Sequence, residues 1–351
     1  MRRQSPPIRP TKLRWRIRCA VEAGVYWTGA GALYVRAFRP RGAAILGYHS
    51  VTDSSIRRWI DPRYAVPVEI FEAQMEFLAR HRKVASMGDL VAALERGESA
   101  EPGTVVITFD DGYRDTLELA APILERHGLP AIVYIGTGNV TRGENQWGDR
   151  LYSIFQLRTS NHLRIDGPDR PLLDLGEQGA LFEAYDAIAG RLLVAGESER
   201  ERLLAEIEAQ LRPRERPPRL TLSWDEARDL RRRYPRFEIG VHAREHVDLT
   251  SFGEEVARAE IDSSIDDVSR ELGVEVEHFA YPYGRTNALI REIVAAASLR
   301  SAVVGEPGSL IRPDCDRLAM PRIEVGPSMT RFRLQTCGAY PDLPQALLGR
   351  R

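Results

Sequence analysis

Val105-Val106-Ile107-Thr108-Phe109-Asp110-Asp111-Gly112-Tyr113 is the stretch on which the reading turns. The β-branched run from Val105 to Phe109 predicts a buried strand. It ends in two adjacent carboxylates, and a glycine then turns the chain. Neighbouring carboxylates repel, and partial desolvation makes the repulsion worse. A bound cation relieves that cost, and so does a shared proton. Capping of the next helix accounts for one Asp at such a place. Two at a strand end point rather to metal or acid/base chemistry.

A second strand, Phe237-Glu238-Ile239-Gly240-Val241, runs directly into His242-Ala243-Arg244-Glu245-His246. Two His residues four apart can face the same way over one helical turn or a tight loop. Neutral imidazoles with a carboxylate suit a first-row metal, typically zinc, with positions left open for water. A third short strand, His278-Phe279-Ala280, ends in Tyr281-Pro282-Tyr283-Gly284. On its own that ending is a turn.

The order of strand-Asp-Asp, strand-His-x-x-x-His and strand-Pro-Tyr-Gly resembles the polysaccharide deacetylase family (NodB homology, carbohydrate esterase family 4). Gly47-Tyr48-His49-Ser50-Val51 resembles the opening strand of many members, and Leu222-Ser223-Trp224-Asp225-Glu226 the segment before their His strand. The resemblance spans about Ala43 to Glu324. It implies a distorted, incomplete (β/α) barrel, here with an inserted helical segment. It implies a divalent metal, zinc by preference, on Asp111, His242 and His246. Asp110 is then the base that deprotonates the attacking water, and the backbone N–H of Tyr283 helps stabilise the oxyanion. The substrate implied is an N-acetylated sugar of a polysaccharide or lipid-linked saccharide.

Three positions depart from the family pattern. Ala243 stands where Ser or Thr is usual. Ala280 stands where many members carry an Arg that orients the base, and Arg322 in Pro321-Arg322-Ile323 is the candidate substitute, with a surface strand Arg as the alternative. No late Leu-His supplies a general acid. His49 is the best-placed remaining His, as acid or as a structural group beneath the site. A deformylase or another linear or cyclic amide hydrolase on the same barrel stays open, as does a catalytically inactive carbohydrate-binding protein of polysaccharide assembly.

The chain has 351 residues, 43% hydrophobic and 28% charged, as in ordinary soluble proteins. A net charge of −1 gives no global signature of nucleic-acid binding. Residues 1–41, however, carry ten Lys/Arg against Glu22 alone. Leu13, Ile17, Val21 and Val25 recur at helical spacing there, which suits a helix on an anionic membrane surface or one packed on the barrel. A signal peptide is disfavoured because no small-x-small cleavage site follows. The reading is a cytoplasmic chain, peripheral at the inner membrane face, with secretion or an anchor left open. Cys19, Cys315 and Cys337 are too few and too scattered for a disulfide framework.

The organisation expected is a basic/apolar segment over 1–41, a barrel over 42–335 with an insertion at about 137–218, and a tail over 336–351. The spacing predicts helices over Ile70–His81, Met87–Glu95, Thr116–His127, Leu181–Val194, Glu197–Leu211 and Asn287–Ala296. Ser251-Phe252-Gly253-Glu254 reads as a capping box before the helix stopped by Gly273. Trp147 and Tyr152 read as local core rather than as sugar platforms.

Overall fold

The computed structural model describes residues 41–167, 169–305 and 310–337, together with Thr28 and Leu33. The basic segment and the C-terminal tail beyond residue 337 otherwise lie outside the described residues.

In chain order the strands are β1 (Ala43–Tyr48), β2 (Ser50–Thr52), β3 (Ala65–Pro67), β4 (Lys83–Val84), β5 (Thr104–Phe109), β6 (Ala131–Ile135), β7 (His162–Leu163), β8 (Leu173–Asp174), β9 (Phe237–Val241), β10 (His278–Ala280), β11 (Ser301–Val304), β12 (Met320–Pro321) and β13 (Ile323–Glu324). The main sheet runs β12-β11-β10-β9-β6-β5-β1-β13, every pair parallel, with β4 added at β5. Its two ends are consecutive in the chain. Arg322, between β12 and β13, donates its backbone N–H to Val304 O, and Val325 N donates to Gly47 O on the opposite side. One segment thus pairs with both edges, and the ring nearly closes through it.

The period-2 alternation of the strands sorts side chains into two cores. Ala44, Leu46, Val105, Ile107, Phe109, Val133, Val241 and Phe279 face out, against the helices. Ala43, Ile45, Val106, Ile132, Tyr134, Ala280, Val303 and Met320 face in. The same parity turns Thr108, Asp110, His242 and Arg322 inward at the carboxyl ends of the strands, where parallel barrels build their sites. The helix Met87–Glu95 packs against the inward cluster, and Glu238 accepts from Met87 N and Gly88 N at its start.

Helices cover the outer face at Val68–His81, Trp224–Arg233, Glu254–Leu272, Ala288–Ala296 and Met329–Gln335. Ser223 and Glu226 form a capping box for the second of these. The box expected at Ser251 does not form. Gly253 is the N-cap of Glu254–Leu272, and Ser251 belongs to a 3-10 turn capped by Asp248. The helix expected over Thr116–His127 is also split. A π-turn at Thr116–Ala120 precedes the α-helix Ala121–Arg126, with Ala121 N bonded to Thr116 O. Pro122 lacks an N–H, and the wider turn accommodates that loss.

Between β6 and β9 the chain forms helices Thr137–Arg142, Trp147–Gln156, Gln178–Leu193 and Glu197–Leu211, plus the antiparallel pair β7–β8. The last three helices share a core of their own, which includes Leu151, Phe155, Ile188, Leu192, Leu203 and Ile207. Among the described residues no helix is long and apolar enough to cross a membrane.

Candidate active site

Asp110 and Asp111 follow β5 directly. Asp110 N still bonds Tyr48 O, so the first carboxylate is fixed by the sheet. Asp111 then takes φ 68, which swings the second carboxylate to a different direction. The returning segment at 220–222 clamps this turn: Leu222 N donates to Gly112 O and Arg114 N to Leu220 O. That contact gives a physical role to the Leu222-Ser223-Trp224 stretch.

His242 and His246 lie on a tight loop after β9, not on a helical turn, with Ala243 at φ 59 and His246 at φ 47. Such backbone is costly for non-glycine residues and has to be held by its surroundings. The holding contacts are specific. Thr137 N and Gly138 N donate to Ala243 O and Arg244 O. Glu260 accepts from Arg244 N and Glu245 N. Arg142 grips the Glu245 carboxylate with bonds of 2.8 and 2.7 Å. A Cβ on Gly138 would come within 2.8 Å of Arg244 O, so this approach needs glycine.

Tyr283 sits at φ 58. Its hydroxyl donates to His246 O at 3.0 Å and accepts from Trp147 Nε1 at 2.8 Å. Trp147 is therefore more than the local core expected of it: through Tyr283 it braces the His loop from the helices between β6 and β9. Tyr152 is partly buried and packs edge-on against Tyr185.

Among the described residues Asp111, His242 and His246 form a cluster whose ligand atoms lie within 4.8 Å of one another. His242 Nδ1 is 2.7 Å from Ala280 O, so Nδ1 carries the proton and Nε2 presents a lone pair. That Nε2 is 3.6 Å from Asp111 Oδ1, and His246 Nε2 is 3.2 Å from the same oxygen. Asp111 Oδ1 is buried without a hydrogen-bond partner among the described residues. Burial lowers His242 to about 4 and His246 to about 3, so both rings are neutral near pH 7. Burial pushes the Asp111 carboxyl up, against His49 and His242, with Asp110 adding to the rise. Three acceptors converging on one point are a liability without a cation and a ligand set with one. The residues fit a divalent metal.

Asp110 has a different environment. Arg322 Nη1 and Nη2 donate to Oδ1 and Oδ2, both at 2.6 Å, and Nη1 is also 3.3 Å from Thr108 Oγ1. Both partners are buried. Burial pushes Asp110 up, but the Arg322 guanidinium and His242 outweigh it and hold the carboxyl well below its usual range. The two neighbouring acids are thus driven apart, Asp110 down and Asp111 up, which is the mark of divided roles. His49 lines the same cleft: its Nε2 is 3.9 Å from Asp110 Oδ2 and its Nδ1 3.9 Å from Glu324 Oε2. Ala280 contributes its carbonyl to His242, while its small side chain faces the barrel interior.

The structure thus brings all seven sequence candidates, Asp110, Asp111, His242, His246, Tyr283, Arg322 and His49, to one mouth of the barrel. Glu260 and Arg142 are additions to the sequence reading, and so is the bracing role of Trp147. Their partners lie 15, 103 and 136 positions away in the chain, and no periodicity marks such pairs.

The fold and site together define a parallel α/β barrel protein with an Asp/His/His cluster at its carboxyl mouth. The chain belongs to the polysaccharide deacetylase family, whose model matches residues 97–302. It is 24% identical over 160 residues to YxkH of Bacillus subtilis (strain 168), which covers 43% of this chain and 54% of that protein. The match thus spans about half the length of that relative. The fold is similar to Streptococcus pyogenes deacetylase PplD, with TM-score 0.56 and 18% identity, over 85% of this chain and 99% of that one. It is similar also to IcaB from Ammonifex degensii, with TM-score 0.55 and 17% identity, over 85% and 98%.

Proposed function

We propose that the protein is a metal-dependent hydrolase that removes N-acetyl groups from an amino sugar of a polysaccharide or lipid-linked saccharide. The observation that carries this reading is the juxtaposition of the Asp111/His242/His246 cluster with a base held by a two-pronged guanidinium. Those three residues would hold a divalent ion, zinc by the nature of the donors, which would supply Lewis acidity for the acyl oxygen and would lower the pKa of water at the site.

The chain's own groups do the rest. Asp110 accepts the proton of the attacking water. Arg322 is a positioning residue that aims the Asp110 oxygens. The backbone N–H of Tyr283 donates to the developing oxyanion. His49, at the cleft entrance, delivers a proton to the leaving nitrogen as the C–N bond breaks, giving acetate and a free amine. The fold shared with PplD, whose structure holds acetate, and with IcaB supports this assignment. The test is acetate release by metal-loaded protein from a panel of N-acetylated glycans and lipid-linked sugars. Formate from formylated sugars, with no acetate from any member of the panel, would replace the reading with a deformylase.

A further inference from the structure

Arg200 carries a buried guanidinium that the catalytic scheme does not use. Among the described residues Arg200 and Arg322 are the two buried arginines, and Arg322 is answered by the Asp110 carboxylate. The partners of Arg200 are backbone carbonyls instead. Its Nε donates to Leu192 O at 3.2 Å, its Nη2 to Ala195 O at 3.0 Å and its Nη1 to Glu245 O at 3.5 Å. The first two oxygens lie at the carboxyl end of the inserted helix Gln178–Leu193, whose negative pole suits a cation. The third lies in the His loop. The guanidinium also stands 5.5 Å from the centre of the Trp147 ring. Near the amino end of its own helix, Glu197–Leu211, a cation works against the dipole, so stability of that helix does not account for it.

The His loop needs that donor. Polar backbone withdrawn from water has to be paired, and this loop belongs to neither helix nor sheet. Ala243 O and Arg244 O accept from Thr137 N and Gly138 N, Glu245 O from Arg200, and His246 O from the Tyr283 hydroxyl. Four consecutive carbonyls thus each have a donor, across the stretch that carries the positive φ of Ala243 and His246. Arg200 enters twice, directly at residue 245 and through the Trp147 ring, whose Nε1 donates to Tyr283. Arg142 grips the Glu245 carboxylate while Arg200 takes the carbonyl of the same residue. The neighbour of His246 is therefore fixed by both its side chain and its backbone.

We propose that Arg200 is a positioning residue for the metal loop, through which the inserted helices Gln178–Leu193 and Glu197–Leu211 hold His246 in place to ligate. The inference rests on the metal reading of Asp111, His242 and His246, and it adds a role for the insertion. Position and charge act here with opposite signs. The charge of Arg200 is felt at His246, where it joins burial and His49 in lowering the ring. A positive charge near a divalent cation opposes its binding. If charge governed, an uncharged replacement would tighten the metal. Anchoring makes the same replacement loosen it. Anchoring governs because the ligand atoms must stay within 4.8 Å of one another on a backbone that positive φ values strain.

The test is chelator competition for zinc on the full, zinc-loaded chain, for the parent, Arg200→Met, Arg200→Lys and Ile207→Ala, beside urea unfolding of each. Arg200→Met keeps a long side chain over Trp147 but loses charge and donors, and should weaken zinc binding about 10- to 100-fold. Arg200→Lys keeps a donor and should recover much of that loss. Ile207→Ala opens a hole in the core of the insertion, away from the His loop. It should lower the urea midpoint while leaving zinc affinity within about twofold of the parent. With Co2+ in place of zinc, the visible bands that report coordination geometry should shift in Arg200→Met and not in Ile207→Ala. Unchanged or tighter zinc binding by Arg200→Met would overturn the positioning role and leave the metal reading standing. An Ile207→Ala variant that loses zinc as readily as Arg200→Met would do the same, since general loosening would then suffice. A parent that holds no zinc would overturn the metal reading itself, and this inference with it.

Discussion

Replacing Arg322 by Lys isolates the direction of the Asp110 carboxylate from its charge. The guanidinium makes two bonds of 2.6 Å, one to each carboxylate oxygen, from a site where both groups are buried. An ammonium keeps the positive charge but cannot present two parallel donors in one plane. The substitution therefore removes one charge-assisted hydrogen bond, worth about 1.5–3 kcal/mol. If most of that goes into aiming the base, kcat falls about 10- to 100-fold, since 1.36 kcal/mol is tenfold. The cluster of Asp111, His242 and His246 does not include Arg322, so metal content should stay at the parent level. The assay is acetate release with kcat and KM separated, beside elemental analysis of the same preparation. Removing the charge altogether is a different perturbation. Arg322→Ala leaves Asp110 buried and unpaired, which costs about 3–5 kcal/mol of stability and is read by urea unfolding. A kcat for Arg322→Lys within threefold of the parent would refute the positioning argument, and so would metal lost in step with activity.

Asp110→Asn should keep the metal and lose roughly 10²–10⁴-fold in kcat, whereas equal loss of metal would make Asp110 a ligand. His246→Ala should lose the tightly held metal on elemental analysis, and a variant as metal-rich as the parent would break the ligand assignment. Asp115 is buried, accepts from Ser50 Oγ and Val51 N, and burial outweighs those bonds to raise it to about 7. Its contribution to stability is fully present below its unfolded value of about 3.9 and is lost as pH rises through about 7. Asp115→Asn should therefore gain on the parent between pH 4 and 7, by up to about 1.4 kcal/mol per pH unit in urea unfolding, and a pH-independent difference would contradict this. We further propose that residues 1–41 hold the protein at a membrane surface. Intact-mass measurement should show that segment uncleaved, and a chain starting at Ala43 should leave the membrane fraction.

Much of the barrel was legible because its strands are short, β-branched and buried on both sides, and each ends in residues that have no place in a core. Val105 to Asp111 carries that contrast within seven positions. The shared mouth followed once three such ends were recognised. What was not legible has a common cause. The His loop is held by Glu260, Arg142 and Trp147, each a polar pairing across a long chain separation, and local propensity carries no trace of it. The failed capping box shows competition among local signals: Asp248 accepts from Thr250 N and starts a 3-10 turn, which places Ser251 inside that turn and leaves Gly253 to begin the helix. The split helix after Asp115 follows from Pro122, whose missing N–H the helical periodicity does not register.

Arg322 connects these two kinds of legibility. Alternation along Met320-Pro321-Arg322 puts residue 322 on the inward face with Met320, and alternation along β5 puts Asp110 on the inward face with Val106. The segment carrying Arg322 is also the one that pairs with β11 on one side and β1 on the other. A base-orienting arginine at position 280 would have to rise from β10, where the carbonyl of the same residue already fixes the His242 tautomer. From the closing segment the guanidinium instead takes both Asp110 oxygens at 2.6 Å, while His49 Nε2 and His242 Nε2 each stand 3.9 Å from Oδ2. The barrel has to close for Arg322 to reach Asp110, and once it closes the ion pair bridges the seam from inside. Ring closure and the aim of the base are therefore one structural event, so variants that loosen β12–β13 should lower kcat before they release metal.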